Sequence, residues 1–337
     1  MRPASQSPRR TPGGFAYNCR MADALLVYNP AAGRISVRPF IGGVVRALNE
    51  SGWRVEVAES MNGRHTTQLA RLAAQENFCA VFAVGGDGTI GQTAAGLIGS
   101  QTALAVLPAG STNVWARDLR LPVFSWKRLR ALHDDARLLA GSEVCAIDIG
   151  LCNDQPFLMW AGIGLDALTI KALEPRQRFE KYLNIPEFIA SGMQTAVFWH
   201  GMNLRVTADD KQVEGHYLLA VASNIRHYLG GLVEVSPHAL LDDGEMDLWL
   251  FSGSTLADAF RHFFDLQSGR HVSSEQVRLI PFQKVQIESE TPFSIQVDAE
   301  PLLGTAHVAL EVLPQKLRVL MPEEARRRLC KARTEAA

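Results

Sequence analysis

The periodicity of the chain changes once, and that change limits the folds open to it. Up to about Gly141, short apolar runs alternate with stretches of helical spacing. Ala24–Asn29, Trp53–Ala58, Cys79–Val84 and Ala103–Leu107 read as strands, with Arg38–Asn49, Thr66–Ala74 and Ile90–Ile98 as the helices between them. Further helical stretches fall at Val114–Leu119 and Trp126–Leu139. Such alternation implies a parallel sheet with helices on both faces. Beyond Gly141, strand-like runs from EVCAIDIGLC to KLRVLM follow one another between turns. That density predicts an antiparallel sandwich. Two helices interrupt it. One starts at Pro186 and aligns Ile185, Phe188, Ile189, Met193, Ala196 and Val197; the other opens with the capping-box pattern Thr255–Asp258 and aligns Leu256, Phe260, Phe263 and Phe264. Both stripes are expected to pack into the core, with a lipid-facing surface as the alternative. The expected class is α/β plus all-β: a three-layer parallel α/β domain over 21–142, then a β-sandwich over 143–320 whose last strand or C-terminal segment returns to the first domain.

FAVGGDGTIGQ, Phe82–Gln92, leaves the third strand with Gly85, Gly86, Gly88 and Gly91 around Asp87. Glycines let backbone N–H groups approach an anion, and the helix start that follows attracts it. The loop contains G-x-G-x-x-G, but a dinucleotide site needs an acidic residue about 20 positions on. Between Gly88 and Arg117 there is no Asp or Glu. A P-loop needs a lysine, and the loop has none. A carboxylate beside phosphates is repulsive unless a cation lies between them, and Mg²⁺ prefers carboxylate plus phosphate oxygens. The loop therefore points to a nucleoside triphosphate with Mg²⁺; the alternative is a glycine-rich turn with Asp87 as a helix cap. Two other loops leave parallel strand ends. YNPAAGR carries Asn29, Pro30, Ala31, Ala32 and Gly33, and LPAGSTNVWAR carries Ser111, Thr112 and Asn113. Convergence of the three on one crevice is the expectation.

Those residues resemble the diacylglycerol kinase catalytic family, and most closely its soluble bacterial lipid kinases, which are similar to sphingosine and ceramide kinases. The matching pieces are NPAAG, GGDGT, LPAGSTN, LLDDGEMDL (Leu240–Leu248) and VDAE (Val297–Glu300). The resemblance implies a nucleotide-binding first domain, a lipid-substrate sandwich and an active site in the cleft between them. It also implies ATP-Mg²⁺ and phosphorylation of a lipid hydroxyl, most simply that of diacylglycerol. Carried over, Asn29–Gly33, Gly85–Gly91 with Thr89 and Ile90, and Ser111–Asn113 bind ATP, with Ser60 as a further match. Asp243, with the backbones of Leu240 and Glu245, matches a second, structural Mg²⁺ site. Glu300 is the proton acceptor, with Asp298 nearby and Asp87 beside the phosphates. The chain departs from the pattern at Gly91-Gln92, where Asn-Glu is usual, at Val114, and at Ala299, where the turn loses a glycine's freedom.

The remaining sequence narrows the alternatives. A net charge of -1 gives no field for nucleic acid, and no apolar run approaches a membrane span. Cys19, Cys79, Cys145, Cys152 and Cys330 are scattered without C-x-x-C, as in a reduced cytosolic protein lacking structural zinc. Residues 1–20 hold four arginines and no acid, so a disordered tail is expected rather than a secretory signal, and Met21 is a second candidate start. Residues 321–337 are expected to form a basic tail, its run EEARRRLCKARTEAA a frayed helix that is solvated or touches an anionic membrane surface. The expected setting is cytoplasmic with transient, peripheral membrane contact, and a homodimer is left open. The resemblance implies that Ser223–Pro237 borders the acceptor pocket, with Arg226 or His227 expected either to face an anionic head group or to be solvated. The rival readings are an NAD kinase, which shares GGDGT, and a non-catalytic lipid or nucleotide sensor.

Overall fold

The computed structural model describes residues 23–172 and 185–331. The tail expected over 1–20 lies outside them. Four parallel strands open the chain, ordered β2 (Arg54–Glu59), β1 (Asp23–Tyr28), β3 (Ala80–Gly85), β4 (Ala103–Pro108). The apolar runs of β3 and β4 are buried along their whole length, as central strands covered on both faces must be. Their crossovers are α1 (Arg38–Glu50), α2 (Gly63–Gln75) and α3 (Asp87–Leu97). Right-handed connection places α1 on one face and α2 and α3 on the other. Asn62 caps α2, its Oδ1 accepting from the His65 N–H at 3.0 Å. Helices α2 and α3 touch through Gly96, where a Cβ would lie 2.6 Å from the Thr67 carbonyl oxygen. After β4 come α4 (Val114–Asp118) and α5 (Ala131–Ala140), which packs on α1. The helix expected from Trp126 therefore begins only at Ala131; Ser125 and Arg128 form a bridged turn before it.

The second half opens with β5 (Glu143–Cys152), β6 (Gln155–Phe157), β7 (Trp160–Gly164) and α6 (Leu165–Ala172). It continues with α7 (Ile185–Phe198), β8 (Met202–Ala208), β9 (Lys211–Ser223) and the short pair β10 (His227–Tyr228) and β11 (Val233–Glu234). β12 (Met246–Ser252), α8 (Leu256–Ser268), β13 (Val277–Phe282), β14 (Lys284–Val297), β15 (Glu300–Met321) and α9 (Glu323–Leu329) complete it. The antiparallel strands enclose a second core around Leu248, Ile287, Ile295 and Val308. KVQIES and FSIQV are one strand, β14, with Asp298 and Ala299 in the turn after it, and the last two expected strands are one, β15.

β15 belongs to both halves. It pairs antiparallel with β14 and β5, then places Arg318 and Val319 beside Ala103 and Leu104 of β4 in parallel register. Its register slips between Leu313 and Leu317. The segment after it is not a solvated tail up to Lys331: α9 buries Ala325 and Leu329, and Arg328 donates to the Asp118 carbonyl oxygen of α4. Residues 332–337 lie outside the described residues.

The stripes expected on the two interrupting helices are displaced. α8 has its capping box, but it buries Ala259, His262 and Leu266 and leaves Phe260 and Phe264 exposed. His262 is drawn in because its Nε2 bonds the Ser252 carbonyl oxygen at 2.6 Å. On α7 Ala196 is buried, while Val197 and Phe198 are exposed; the side chains of Ile185 and Phe188 lie outside the described ones.

Candidate active site

Three loops at the carboxyl ends of β1, β3 and β4 meet because their glycines have no side chain. A Cβ on Gly33 would lie 2.1 Å from the Ala109 carbonyl oxygen, and one on Gly110 would lie 2.3 Å from the Gly86 Cα. Gly33 also takes φ of +64°, which glycine adopts at no steric cost. The third loop is closed by Asn113, itself at φ of +52°. Its Oδ1 accepts from the Gly110 N–H and its Nδ2 donates to the Gly110 carbonyl, both at 2.7 Å.

The loops form one wall of a cleft of about 490 Å³. Asn29, Ala31, Ala32, Gly33, Gly86, Asp87, Gly88, Thr89, Ser111 and Thr112 line it. No lysine or arginine lines it among the described residues. An anion there must be held by backbone N–H groups, and the first turn of α3, starting at Asp87, supplies N–H groups without intrahelical acceptors.

Asp87 ties two of the loops together. Its Oδ2 accepts from the Thr112 hydroxyl at 2.8 Å and its Oδ1 from the Trp115 N–H at 3.2 Å. Desolvation nevertheless raises its pKa above the ordinary carboxylate value, outweighing those donors. Facing it, Asp298 and Ala299 form the two-residue turn that joins β14 to β15. Both have positive φ, +46° and +67°, the pair of angles that a type I′ hairpin requires. The Asp298 carboxylate accepts N–H bonds from Leu158, Met159 and Trp160 at 2.8, 2.9 and 3.1 Å. Burial, with a lesser push from the Asp87 charge, still raises its pKa to about 6. Both carboxylates are disfavoured by burial, and Asp298 also by the Asp87 charge; a hard divalent cation taking oxygen ligands would relieve them. Among the described residues, no group of three or more His, Cys, Asp or Glu side chains is arranged to hold a metal. A magnesium ion would then take its other ligands from phosphate and water, as that ion commonly does.

The second-half wall of the cleft differs. Met159, Trp160, Ile170, Tyr228 and Leu229 line it, with Trp160 edge-on to Tyr228 at 5.6 Å. One carboxylate lies in it. Asp166, in the first turn of α6, accepts from Gln296 Nε2 at 2.5 Å and from the Tyr228 hydroxyl. Burial raises its pKa. Sequence reading missed Asp166, Tyr228 and all of α6, because GLDALTIKA follows a strand without punctuation and its apolar residues do not form a clean stripe. The nearest signal was the SNIRHYLGG stretch, which does reach the cleft, though through Tyr228, Leu229 and Gly230.

Comparison with known proteins now bears on this arrangement. The diacylglycerol kinase catalytic domain matches residues 23–151, and the YegS C-terminal NAD kinase beta sandwich-like domain matches residues 161–321. Residues 23–151 of this chain belong to the diacylglycerol kinase catalytic domain family. The chain is therefore a kinase. Diacylglycerol kinase of Bacillus subtilis (strain 168) is 24% identical over 306 residues, covering 90% of this chain and 98% of that protein. That of Staphylococcus saprophyticus is 24% identical over 281 residues, covering 82% and 88%. In fold, a diacylglycerol kinase from Bacillus anthracis str. Sterne superposes with a TM-score of 0.69 at 19% identity, over 91% of this chain and all of that one. An NAD kinase from Archaeoglobus fulgidus, solved in complex with ATP, does so with a TM-score of 0.52 at 13% identity, over 91% and 96%.

Not every residue expected in the site of this kinase lies at its cleft. Pro30, Gly85 and Ile90 do not line it; Ile90 is core, and Gly85 is needed because a Cβ there would meet Thr89 at 2.5 Å. Asn113 works through loop closure. Gly91 faces the Asp298 carboxylate, 3.6 Å from a notional Cβ. Ser60 is buried, its N–H bonded to the Tyr28 carbonyl at 2.9 Å. Leu240, Asp243 and Glu245 lie away from the cleft lining. Asp243 accepts from the Glu245 N–H at 3.2 Å, and the Lys331 ammonium lies 3.5 Å from its carbonyl oxygen. Arg226 and His227 do not line the cleft and are bonded within the protein. Arg226 donates to the carbonyls of Ala239 and Arg328, and His227 bonds the buried Asp118 through its N–H and Nδ1.

Proposed function

We propose that this kinase transfers the γ-phosphate of ATP to the hydroxyl of a membrane lipid, with diacylglycerol as the simplest acceptor and phosphatidic acid as its product. The observation that carries the reading is the asymmetry of the cleft. One wall offers backbone amides and a helix start to an anion; the other is apolar with a single buried carboxylate, suited to a lipid alcohol. The Asp298-Ala299-Glu300 turn spans them, bonded to Leu158–Trp160 on one side and to α3 through Gln92 on the other.

In this reading the three loops hold the triphosphate, and Asp87 and Asp298 would hold Mg²⁺. The ion, when bound, neutralises charge on the phosphate oxygens. Glu300 accepts the proton of the lipid hydroxyl. That oxygen bonds to the γ-phosphorus as the bond to the bridging oxygen breaks, and ADP leaves. Positioning and charge neutralisation do most of the work, with proton acceptance contributing about 10²–10⁴-fold. The reading keeps Asp243, with the Leu240 and Glu245 backbones, for a second, structural magnesium, which metal analysis of the purified protein tests. The protein reaches its substrate through peripheral bilayer contact. We assign that contact to the face where α7 and α8 expose Val197, Phe198, Phe260 and Phe264. α6 lines the cleft and packs on α7, which packs on α8, so this face continues outward from the acceptor wall.

The test is incubation with radiolabelled ATP, Mg²⁺ and a total lipid extract, with NAD in a parallel reaction. Label in an extractable lipid phosphate is expected. Label in NADP alone, or nucleotide binding with no transfer, would overturn the proposal.

A further inference from the structure

The geometry points to Gln92 as the residue that positions the Glu300 carboxylate, and we propose that it does so with a neutral amide donor held in one orientation by Thr67. This rests on Glu300 as the proton acceptor. Glu300 is the first residue of β15 and stands exposed at the cleft, so little packing fixes its side chain. Its carboxylate Oε1 accepts from Gln92 Nε2 at 3.2 Å.

Gln92 is itself confined. Its amide lies on the start of α2, where a Cβ on Gly63 would come within 3.3 Å of Gln92 Cγ and Cδ. Thr67 Oγ1 lies 2.8 Å from Gln92 Oε1 and 2.9 Å from the Gln92 carbonyl oxygen. Two acceptors do not face each other, so an ionised Glu300 selects the amide orientation with Nε2 outward, and the Thr67 hydroxyl then donates to Oε1. The Gly96 contact between α2 and α3 fixes the distance over which this relay operates. The chain of contacts runs from α2 to α3 and across the cleft to β15.

A neutral donor matters because the charges already facing Glu300 are acidic. Asp298 sits two residues away on the same turn, and Asp87 faces it from α3. No arginine, lysine or histidine lines the cleft among the described residues. An amide at position 92 gives the base a donor without adding charge beside it.

The test is the split between kcat and KM for ATP in Gln92→Leu, Thr67→Val and Glu300→Gln, with binding of a fluorescent ATP analogue and the melting temperature as controls. Gln92→Leu should lose about tenfold in kcat with KM for ATP, nucleotide binding and melting temperature unchanged, the cost of a misplaced base. Thr67→Val should lose less, since the amide stays but can flip. If Glu300→Gln is inactive while Gln92→Leu keeps wild-type kcat, the role of Gln92 is overturned and the phosphotransfer reading stands. If Glu300→Gln keeps its turnover, Glu300 is not the base and both fall. Should Gln92→Leu bind no nucleotide or melt early, Thr67→Val decides: full activity there overturns the inference.

Discussion

At the scale of single residues, unfavourable ionisation is concentrated at a few buried carboxylates. Asp135 on α5 is 1% exposed, and its Oδ2 has no hydrogen-bond partner among the described residues. Burial, with a smaller push from Asp134, raises its pKa to about 7. A carboxyl whose folded pKa exceeds its unfolded value binds more protons when folded, so stability falls as pH rises from about 4 to the folded pKa. The same sign holds for Asp148 and Asp298, each raised to about 6 mainly by burial. The protein should therefore melt higher at pH 5.5 than at pH 8. Asp135→Asn should remove part of that slope and stabilise by about 1–2 kcal/mol at pH 8, the cost of an unsatisfied buried charge. Calorimetric scans at the two pH values check it; an equal effect at both would exclude ionisation as the cause. Such residues cannot be found in sequence, where Asp134 and Asp135 look alike. Asp87 stood out because four glycines surround it, whereas Asp166 had no company to mark it.

At the scale of elements, punctuation was legible and facing was not. The glycine loops and the capping box of α8 read correctly, because each follows from a local steric or hydrogen-bonding requirement. Which face α8 buries depends on what it meets. The small Ala259 and the bonded His262 fit beneath it, while Phe260 and Phe264 have no room there. The long strands β14 and β15 were each read as two, since a register slip looks like a turn in sequence. The Asp298-Ala299 hairpin gives a sharper case. Alanine at φ of +67° costs about 1 kcal/mol relative to glycine, part of which glycine returns through its freer unfolded chain. Ala299→Gly should raise stability by about 0.5–1 kcal/mol, seen as a melting shift of roughly 2 °C. A fall in melting temperature would show that the Ala299 methyl makes contacts worth more than its strain.

At the scale of the whole molecule, the switch of periodicity at Gly141 gave the two-part architecture, and loop placement gave the cleft. The apolar face of α7 and α8 was legible only as the alternative to core packing, because helical spacing alone does not say which way a stripe faces. Phe198 is 81% and Phe264 58% exposed, on helices that continue outward from the acceptor wall. If that face meets the bilayer, Phe198→Asp and Phe264→Asp together should cut co-sedimentation with anionic phospholipid vesicles about tenfold. Transfer to a short-chain, water-soluble acceptor should be unchanged. Equal loss on both acceptors would instead mark a folding defect. The C-terminal half of β15 was foreseen only as a segment returning to the first domain. In the structure, the strand that begins with Glu300 ends hydrogen-bonded to β4, whose loop carries Ser111 and Thr112. The presumed base and one phosphate loop are thus fastened to a common rod. The gap between the two walls cannot widen without deforming that rod, and its pairing with β5 is interrupted at the slip between Leu313 and Leu317.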